Sequence, residues 1–197
     1  MKREQWDERY RGTELVWSAR PNRFLVAETE SLAPGRVLDL ACGEGRNAVW
    51  LAEQGWQATG VDFSGVAIEK ARSLAQERSV EVEWIAADLL EYEPPPGAFD
   101  LVILFYLQLP GDELARVLAR AAAALAPGGT LLLVGHDASN LEHGYGGPKD
   151  PAVLYAAADV TPHLDGLEIE RAETVVRTVE TDDGTREALD VLVRARG

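Results

Sequence analysis

The sequence predicts a doubly wound α/β domain: a mostly parallel seven-stranded sheet with helices on both faces, an antiparallel C-terminal hairpin, and a helical N-terminal segment. Three observations carry this reading. Short β-rich runs alternate with longer helical stretches from residue 36 to residue 135, the pattern of βαβ units. The run Phe99 to Phe105 is almost continuously apolar, as in a strand covered on both faces, and so belongs at the centre of the sheet. Finally, Leu167 to Glu180 and Thr185 to Ala195 flank Thr181-Asp182-Asp183-Gly184, which reads as a hairpin.

Each element follows from period and punctuation. The first strand is Arg36 to Leu40, led in by Pro34-Gly35. After Gly43 and Gly45 comes a helix through Ala48, Val49, Leu51 and Ala52, closed by Gly55, and then a strand from Gln57 to Asp62. Ser64 is placed to cap the next helix, whose apolar face is Ala67, Ile68, Ala71, Leu74 and Ala75. A third strand spans Val80 to Ile85, and Pro94-Pro95-Pro96-Gly97 breaks the chain before Phe99. Asp112 is expected to cap a helix carrying Leu114, Val117, Leu118, Ala121, Ala122 and Leu125, which ends at Pro127-Gly128-Gly129 ahead of the strand Thr130 to Gly135. Residues 136–150 read as a long loop, and Asp150-Pro151 opens a further helix with its cap and first-turn proline in order.

Composition narrows the function. The chain has 197 residues, the size of one domain, with 46% hydrophobic and 26% charged residues, enough to bury a core. Its 19 Lys+Arg against 33 Asp+Glu give a net charge of −14, which argues against a nucleic-acid partner whose binding needs a basic patch. No apolar run approaches the ~18 residues of a membrane span, and Met1-Lys2-Arg3-Glu4-Gln5-Trp6-Asp7 lacks the apolar segment of a signal peptide. The expectation is a cytoplasmic protein with no membrane partner. One cysteine, Cys42, and three histidines without ligand spacing predict no metal.

The turn after the first strand is where an open α/β sheet binds its ligand. Gly43, Gly45 and Ala48 satisfy G-x-G-x-x-A, and Asp62 ends the second strand, where an acid can hold a ribose. Such a turn suits a dinucleotide or another adenosine-bearing ligand. Asp39 and Glu44 flank it, and their charge would repel a pyrophosphate, whereas a ligand carrying an ammonium and a sulfonium would be favoured.

Val37-Leu38-Asp39-Leu40-Ala41-Cys42-Gly43-Glu44-Gly45, Gly60-Val61-Asp62-Phe63-Ser64, Ala87-Asp88-Leu89, Phe99-Asp100-Leu101-Val102 and Leu125-Ala126-Pro127-Gly128-Gly129-Thr130 occur in the order of the class I S-adenosylmethionine-dependent methyltransferases, which the chain resembles over residues 36–135. The resemblance implies a single Rossmann-like methyltransferase domain over residues 1–197, with residues 1–33 as a helical lid segment and 34–197 as the core. It implies strand order 3-2-1-4-5-7-6, with S-adenosylmethionine as cofactor. It places Asp39 near the methionine amino group, Ala41, Gly43 and Gly45 under the cofactor, Asp62 on the ribose, Phe63 against the adenine, Asp88 and Leu89 at the adenine edge, and Phe105 by the methionine end. Arg46 can take the cofactor's carboxylate. Glu4 to Tyr10 with Trp17 and Pro21-Asn22 resembles the N-terminal segment of the thiopurine methyltransferases, and Gly45-Arg46-Asn47 resembles the tellurite-resistance methyltransferases. Trp6, Tyr10 and Trp17 would then be lid residues, Trp17 closing on the cofactor.

Methyl transfer from a sulfonium is an in-line displacement that needs no general acid, so the lack of a catalytic triad is no objection. A base is needed only where the acceptor is protonated. His136, at the carboxyl end of the fifth strand, is the best-placed candidate, with Tyr106 or Tyr145 to orient the acceptor, and Asn140 to Pro148 forms a candidate substrate loop. The expected partner is a small-molecule methyl acceptor with a sulfur, oxygen, nitrogen or chalcogen nucleophile. Readings from other classes are a nicotinamide-dependent oxidoreductase and a non-catalytic cofactor-binding protein; within the enzyme class, a protein methyltransferase is a further alternative.

Overall fold

The structure, a computed structural model, describes residues 3–12 and 14–197; Met1, Lys2 and Thr13 of the expected N-terminal segment lie outside the described residues. Seven strands, β1 (Arg36–Leu40), β2 (Gln57–Asp62), β3 (Val82–Ala86), β4 (Phe99–Phe105), β5 (Leu125–His136), β6 (Glu168–Thr181) and β7 (Gly184–Arg196), form one sheet in the order β3-β2-β1-β4-β5-β7-β6. The first five are parallel, and β7 runs antiparallel between β5 and β6. The chain thus has the strand order implied by the resemblance, with the apolar β4 in the middle.

Helices cover both faces. Val37, Leu101, Ile103, Phe105, Leu132, Val134 and Leu192 meet Leu25 of α2 (Arg23–Thr29) and Ala48 and Leu51 of α3 (Arg46–Glu53). On the opposite face Leu38, Val102, Leu104, Leu131, Leu133 and Val191 meet Leu114, Val117, Leu118 and Ala121 of α5 (Gly111–Ala123). Leu101, Ile103 and Leu104 are fully buried, each such side chain contributing about 1.5–3 kcal/mol by leaving water. α4 (Gly65–Glu77) buries Ala67, Ile68, Ala71, Leu74 and Ala75, and Ser64 caps it by accepting from the Ala67 N–H at 3.1 Å. Around these lie α1 (Arg3–Tyr10) and the single turns α6 (Asn140–His143) and α7 (Ala157–Val160). Among the described residues no helix is long and apolar enough to cross a membrane.

Four local expectations need correction. Pro110, not Asp112, holds the cap position of α5, and Asp112 instead places negative charge in the first turn, where the helix dipole favours it. Leu125 belongs to β5 rather than to α5, and Pro127-Gly128-Gly129 lies within the strand. Its ladder there is completed from elsewhere in the chain, the Gly128 N–H donating to Gly197 O and the Gly197 N–H to Gly129 O. β3 begins at Val82 because the Val80 N–H turns back to Ala75 O and closes α4. Asp150 does cap, accepting from the Ala152 N–H at 3.0 Å, but the helix is one 3₁₀ turn, Pro151–Val153. The chain then extends and buries Tyr155 against Gly135.

Candidate active site

β1 and β4 are neighbours whose helical crossovers leave in opposite directions, so a crevice opens beyond their carboxyl ends. Both strands run into a residue with left-handed backbone that is not glycine: Ala41 (φ 61°) after β1 and Tyr106 (φ 57°) after β4. Each costs about 1–2 kcal/mol and persists only where the surroundings fix it, as at binding sites.

Asp39 is 1% exposed, and neither carboxylate oxygen has a hydrogen-bond partner. Burial, with a further push from Asp62, raises its pKa to about 8; the Ala48 N–H and Arg46 favour the charged form without meeting hydrogen-bond geometry. Among the described residues the Arg46 side chain, in the first turn of α3, makes neither an ion pair nor a hydrogen bond. Burial lowers its pKa, while Tyr106 and Asp39 favour its charge and Arg177 opposes it. A carboxyl group and a guanidinium, both without hydrogen-bond partners, therefore lie within electrostatic reach of one another in the crevice.

The glycine turn is held by its own side chains. Asp62, 5% exposed, accepts from the Gly43 N–H through Oδ2 and from the Ser64 N–H through Oδ1, both at 2.9 Å, while burial raises its pKa. Gly45 has φ 79°, and a Cβ there would come 2.7 Å from Ala71 Cβ and closer still to the Trp84 ring. Packing alone therefore requires glycine at this position, which was expected to lie under the cofactor. Gly43 (φ 53°) is different: a Cβ there would face the Tyr10 hydroxyl at 3.1 Å.

Glu44 was expected to flank the turn as a repelling charge. The structure instead turns it away: it is 3% exposed, accepts from the Val16 and Trp17 N–H groups at 3.1 and 3.2 Å, and pairs with Lys70 of α4 at 3.0 Å. Lys70 also donates to Glu14 O. Only Asp39 and Asp62 then disfavour a pyrophosphate. The N-terminal segment is fastened over this part of the crevice at a further point, where Ser64 Oγ donates to Asp7 of α1 at 2.5 Å. Within the segment Trp6 stacks on Tyr10, and the Arg9 guanidinium lies over the Trp17 ring at 4.9 Å. Tyr10 is buried, whereas Trp17 is 41% exposed.

Phe63 follows β2 with the Arg3 guanidinium over its ring at 5.9 Å. Asp88 follows β3 and accepts from the Leu90 N–H, an Asx turn, while Leu89 is buried and its carbonyl accepts from Arg120. Phe105, the last residue of β4, is buried in the α3 face of the core.

Tyr106 and His136 come together at the ends of β4 and β5, ring centroids 4.7 Å apart. Behind them lies Asp190 of β7, fully buried, a residue that the sequence reading passed over. It accepts from Tyr106 Oη at 2.8 Å and from Arg177 Nε at 2.6 Å, and His136 Nδ1 stands 3.4 Å away. Burial alone would raise its pKa, but His136, Arg177 and Tyr106 together hold it below the usual carboxylate value. The signal was present: Asp190 interrupts the apolar run Ala188 to Val193, where a lone carboxylate is costly unless paired. His143 is exposed and remote from this group, and Tyr145, 46% exposed, is tied only through its backbone to Glu187 O. The loop before it is anchored at its base by Asn140, which accepts from the Leu189 N–H and donates to Gly146 O. Among the described residues no group of three or more His, Cys, Asp or Glu is placed to hold a metal.

Residues 37–129 match the family model described as "Methyltransferase domain". The chain is 36% identical over 106 residues to the ribosomal RNA small subunit methyltransferase C of Alcanivorax borkumensis, and 34% identical over 125 residues to the demethylmenaquinone methyltransferase of Thermus thermophilus. These alignments cover 51% and 62% of this chain but only 32% and 55% of the two relatives, so the chain spans about a third to a half of their length. A solved structure reported under "Conversion of a Disulfide Bond into a Thioacetal Group during Echinomycin Biosynthesis" superposes with a TM-score of 0.77 at 27% identity, covering 98% of this chain and 91% of that one.

Proposed function

We propose that the chain is a class I S-adenosylmethionine-dependent methyltransferase, that it binds S-adenosylmethionine beyond the ends of β1, β2 and β4, and that it methylates a small molecule held over β4 and β5. The observation that carries the cofactor is the pair of unpartnered groups, Asp39 and Arg46. An amino-acid zwitterion, as in the methionine end of this cofactor, supplies an ammonium for the one and a carboxylate for the other. Binding would draw Asp39 into its ionised form. When bound, the cofactor supplies a methyl group made electrophilic by its sulfonium.

The remaining assignments follow the crevice. Ala41 and Gly43 allow close approach, and Gly45 keeps the turn in shape by making room for Trp84. Asp62 has lone pairs left for a ribose after holding the Gly43 and Ser64 N–H groups. Phe63, Asp88 and Leu89 take the adenine, Phe105 the methionine end, and Tyr10 and Trp17 cover it from the lid segment. Tyr106 and His136 face the acceptor. A small acceptor is supported by the net charge of −14, which disfavours a polyanion, and by the demethylmenaquinone enzyme among the relatives. The sulfur chemistry named for the full-length structural relative puts thiols on the acceptor panel.

Parallel calorimetric titrations with S-adenosylmethionine, S-adenosylhomocysteine and NADH test this reading. Micromolar binding of the first two without the third is expected. Binding of NADH alone would make the protein a nicotinamide enzyme, and tight cofactor binding without turnover across thiols, phenols, amines and chalcogen oxyanions would make it a binding protein.

A further inference from the structure

We infer that the acceptor arrives as a protonated nucleophile, an oxygen or nitrogen acid, and that His136, positioned by Asp190, takes its proton as the methyl group is transferred. The inference rests on the methyltransferase reading above and concerns what lies at the acceptor end of that site.

The two nitrogens of His136 are placed differently. Nδ1 is buried, 3.4 Å from Asp190 Oδ1, and has no hydrogen-bond partner. Nε2 makes no hydrogen bond either, yet it is not among the buried unpartnered atoms, so it is the nitrogen that keeps some exposure. A carboxylate behind Nδ1 favours the tautomer with the proton on Nδ1 and leaves the Nε2 lone pair facing outward, the arrangement of a general base. Separations slightly beyond a hydrogen bond are ordinary before substrate tightens a site.

The carboxylate is one that a merely structural role does not require. Asp190 is fully buried, and Arg177 already neutralises it. Tyr106 Oη and His136 are additional partners, drawn from the ends of the two strands that border the acceptor side. The ring is also walled in: Tyr106 tilts against one side, and Gly147, where a Cβ would stand 3.1 Å from Nδ1, closes another. Restricting a histidine in this way serves proton transfer, since the orientation of Nε2 is then fixed. The charged groups facing it are Asp190 and Arg177 from β7 and β6, with Tyr106 alongside and Arg46 beyond the tyrosine. A soft anion such as a thiolate would need no base, and the two guanidiniums would suffice for it.

The step balances without further reactants. The acceptor's oxygen or nitrogen forms its bond to the methyl carbon as the carbon–sulfur bond breaks. That bond's electron pair stays on the departing thioether, and the acceptor's proton moves to His136 Nε2.

Nuclear magnetic resonance of ring-¹⁵N histidine tests the arrangement directly, since the chain has three histidines and His136→Gln identifies the relevant signal. The expected result is that the neutral ring of His136 carries its proton on Nδ1, and that Asp190→Asn shifts this tautomer balance toward Nε2 while the signals of His143 and His163 stay where they are. The wild-type tautomer is read without any substitution, so misfolding of Asp190→Asn leaves the test in place. Turnover is followed as S-adenosylhomocysteine release with a phenol, a catechol, a primary amine and a thiol. His136→Gln should lower kcat by about 10²–10⁴-fold for the first three and abolish the acidic limb of their pH profiles, where protonation removes the base, with S-adenosylhomocysteine affinity unchanged. A proton on Nε2 in the wild type, an unaltered pH profile in His136→Gln, or turnover confined to the thiol would overturn the inference. Failure of the wild type to bind S-adenosylhomocysteine would instead refute the methyltransferase reading, and the tautomer result would stand apart from it.

Discussion

Asp39→Asn is expected to make the protein more stable while weakening its hold on S-adenosylhomocysteine. The carboxyl titrates at about 8 in the folded protein against an ordinary 3.8. Because the folded pKa is raised, the folded state binds more protons than the unfolded one between these values, so stability falls as pH rises through that window and is constant above it. At pH 7 the burden is ~4 kcal/mol, from ~1.4 kcal/mol for each unit above 3.8. An asparagine amide in the same place would lack partners as the protonated acid does, so these costs cancel and a net gain of up to about 4 kcal/mol remains. For a domain of this size that is an increase in Tm of roughly 8–16 °C. Near pH 5 the burden shrinks to ~2 kcal/mol, and the difference in Tm should narrow accordingly.

Scanning calorimetry of both proteins from pH 5 to pH 8.5 reads this as a Tm difference that opens with pH. Losing a charged partner for the ligand's ammonium should weaken S-adenosylhomocysteine by about 1.5–3 kcal/mol, roughly 10- to 150-fold. Titration at pH 7 in two buffers of different ionisation enthalpy should show close to one proton released on binding to the wild type and none to the variant. A variant no more stable than the wild type at pH 8, or a Tm difference that ignores pH, would refute the claim that Asp39 is an uncompensated buried acid.

Gly45→Ala should lose about 2–5 kcal/mol, combining the left-handed backbone cost with overpacking against Trp84 and Ala71, and Gly45→Ala/Trp84→Leu should recover the packing share in thermal unfolding. An unchanged Tm in the single variant would return Gly45 to a purely ligand-facing role. Glu44→Ala leaves the Val16 and Trp17 N–H groups and Lys70 without their shared acceptor, and hydrogen exchange at those two amides should accelerate more than tenfold while the β4 and β5 amides stay protected. Equal exchange in both proteins would mean that the segment is held without Glu44. Arg46→Met should be neutral or slightly stabilising in Tm, since an unpaired guanidinium is removed from a partly buried place, yet it should weaken S-adenosylhomocysteine about tenfold or more. Loss of stability without loss of affinity would place Arg46 outside the binding site.

The sequence by itself determined the elements whose causes are local. β1, β2 and β4 begin and end where apolar runs meet Pro-Gly, Gly and Asp-Phe-Ser punctuation, and Ser64 announces its cap three residues before the amide it binds. Asp39 and Asp62 were legible as candidate site residues because a carboxylate at the end of a buried strand demands an explanation wherever the strand sits. Tertiary structure decided what a residue does once several strands supply its neighbours. The Pro127-Gly128-Gly129 stretch became strand because Gly197 completes its hydrogen bonds, and Glu44 became an anchor for Val16 and Trp17 because Lys70 lies across from it. Gly45, expected under the cofactor, also makes room for Trp84, 39 positions later in the chain. The Asp190 group is the extreme case, since Tyr106, His136, Arg177 and Asp190 come from four different places in the sequence. A partner's direction and depth follow from strand order and register, and no local run of residues encodes either.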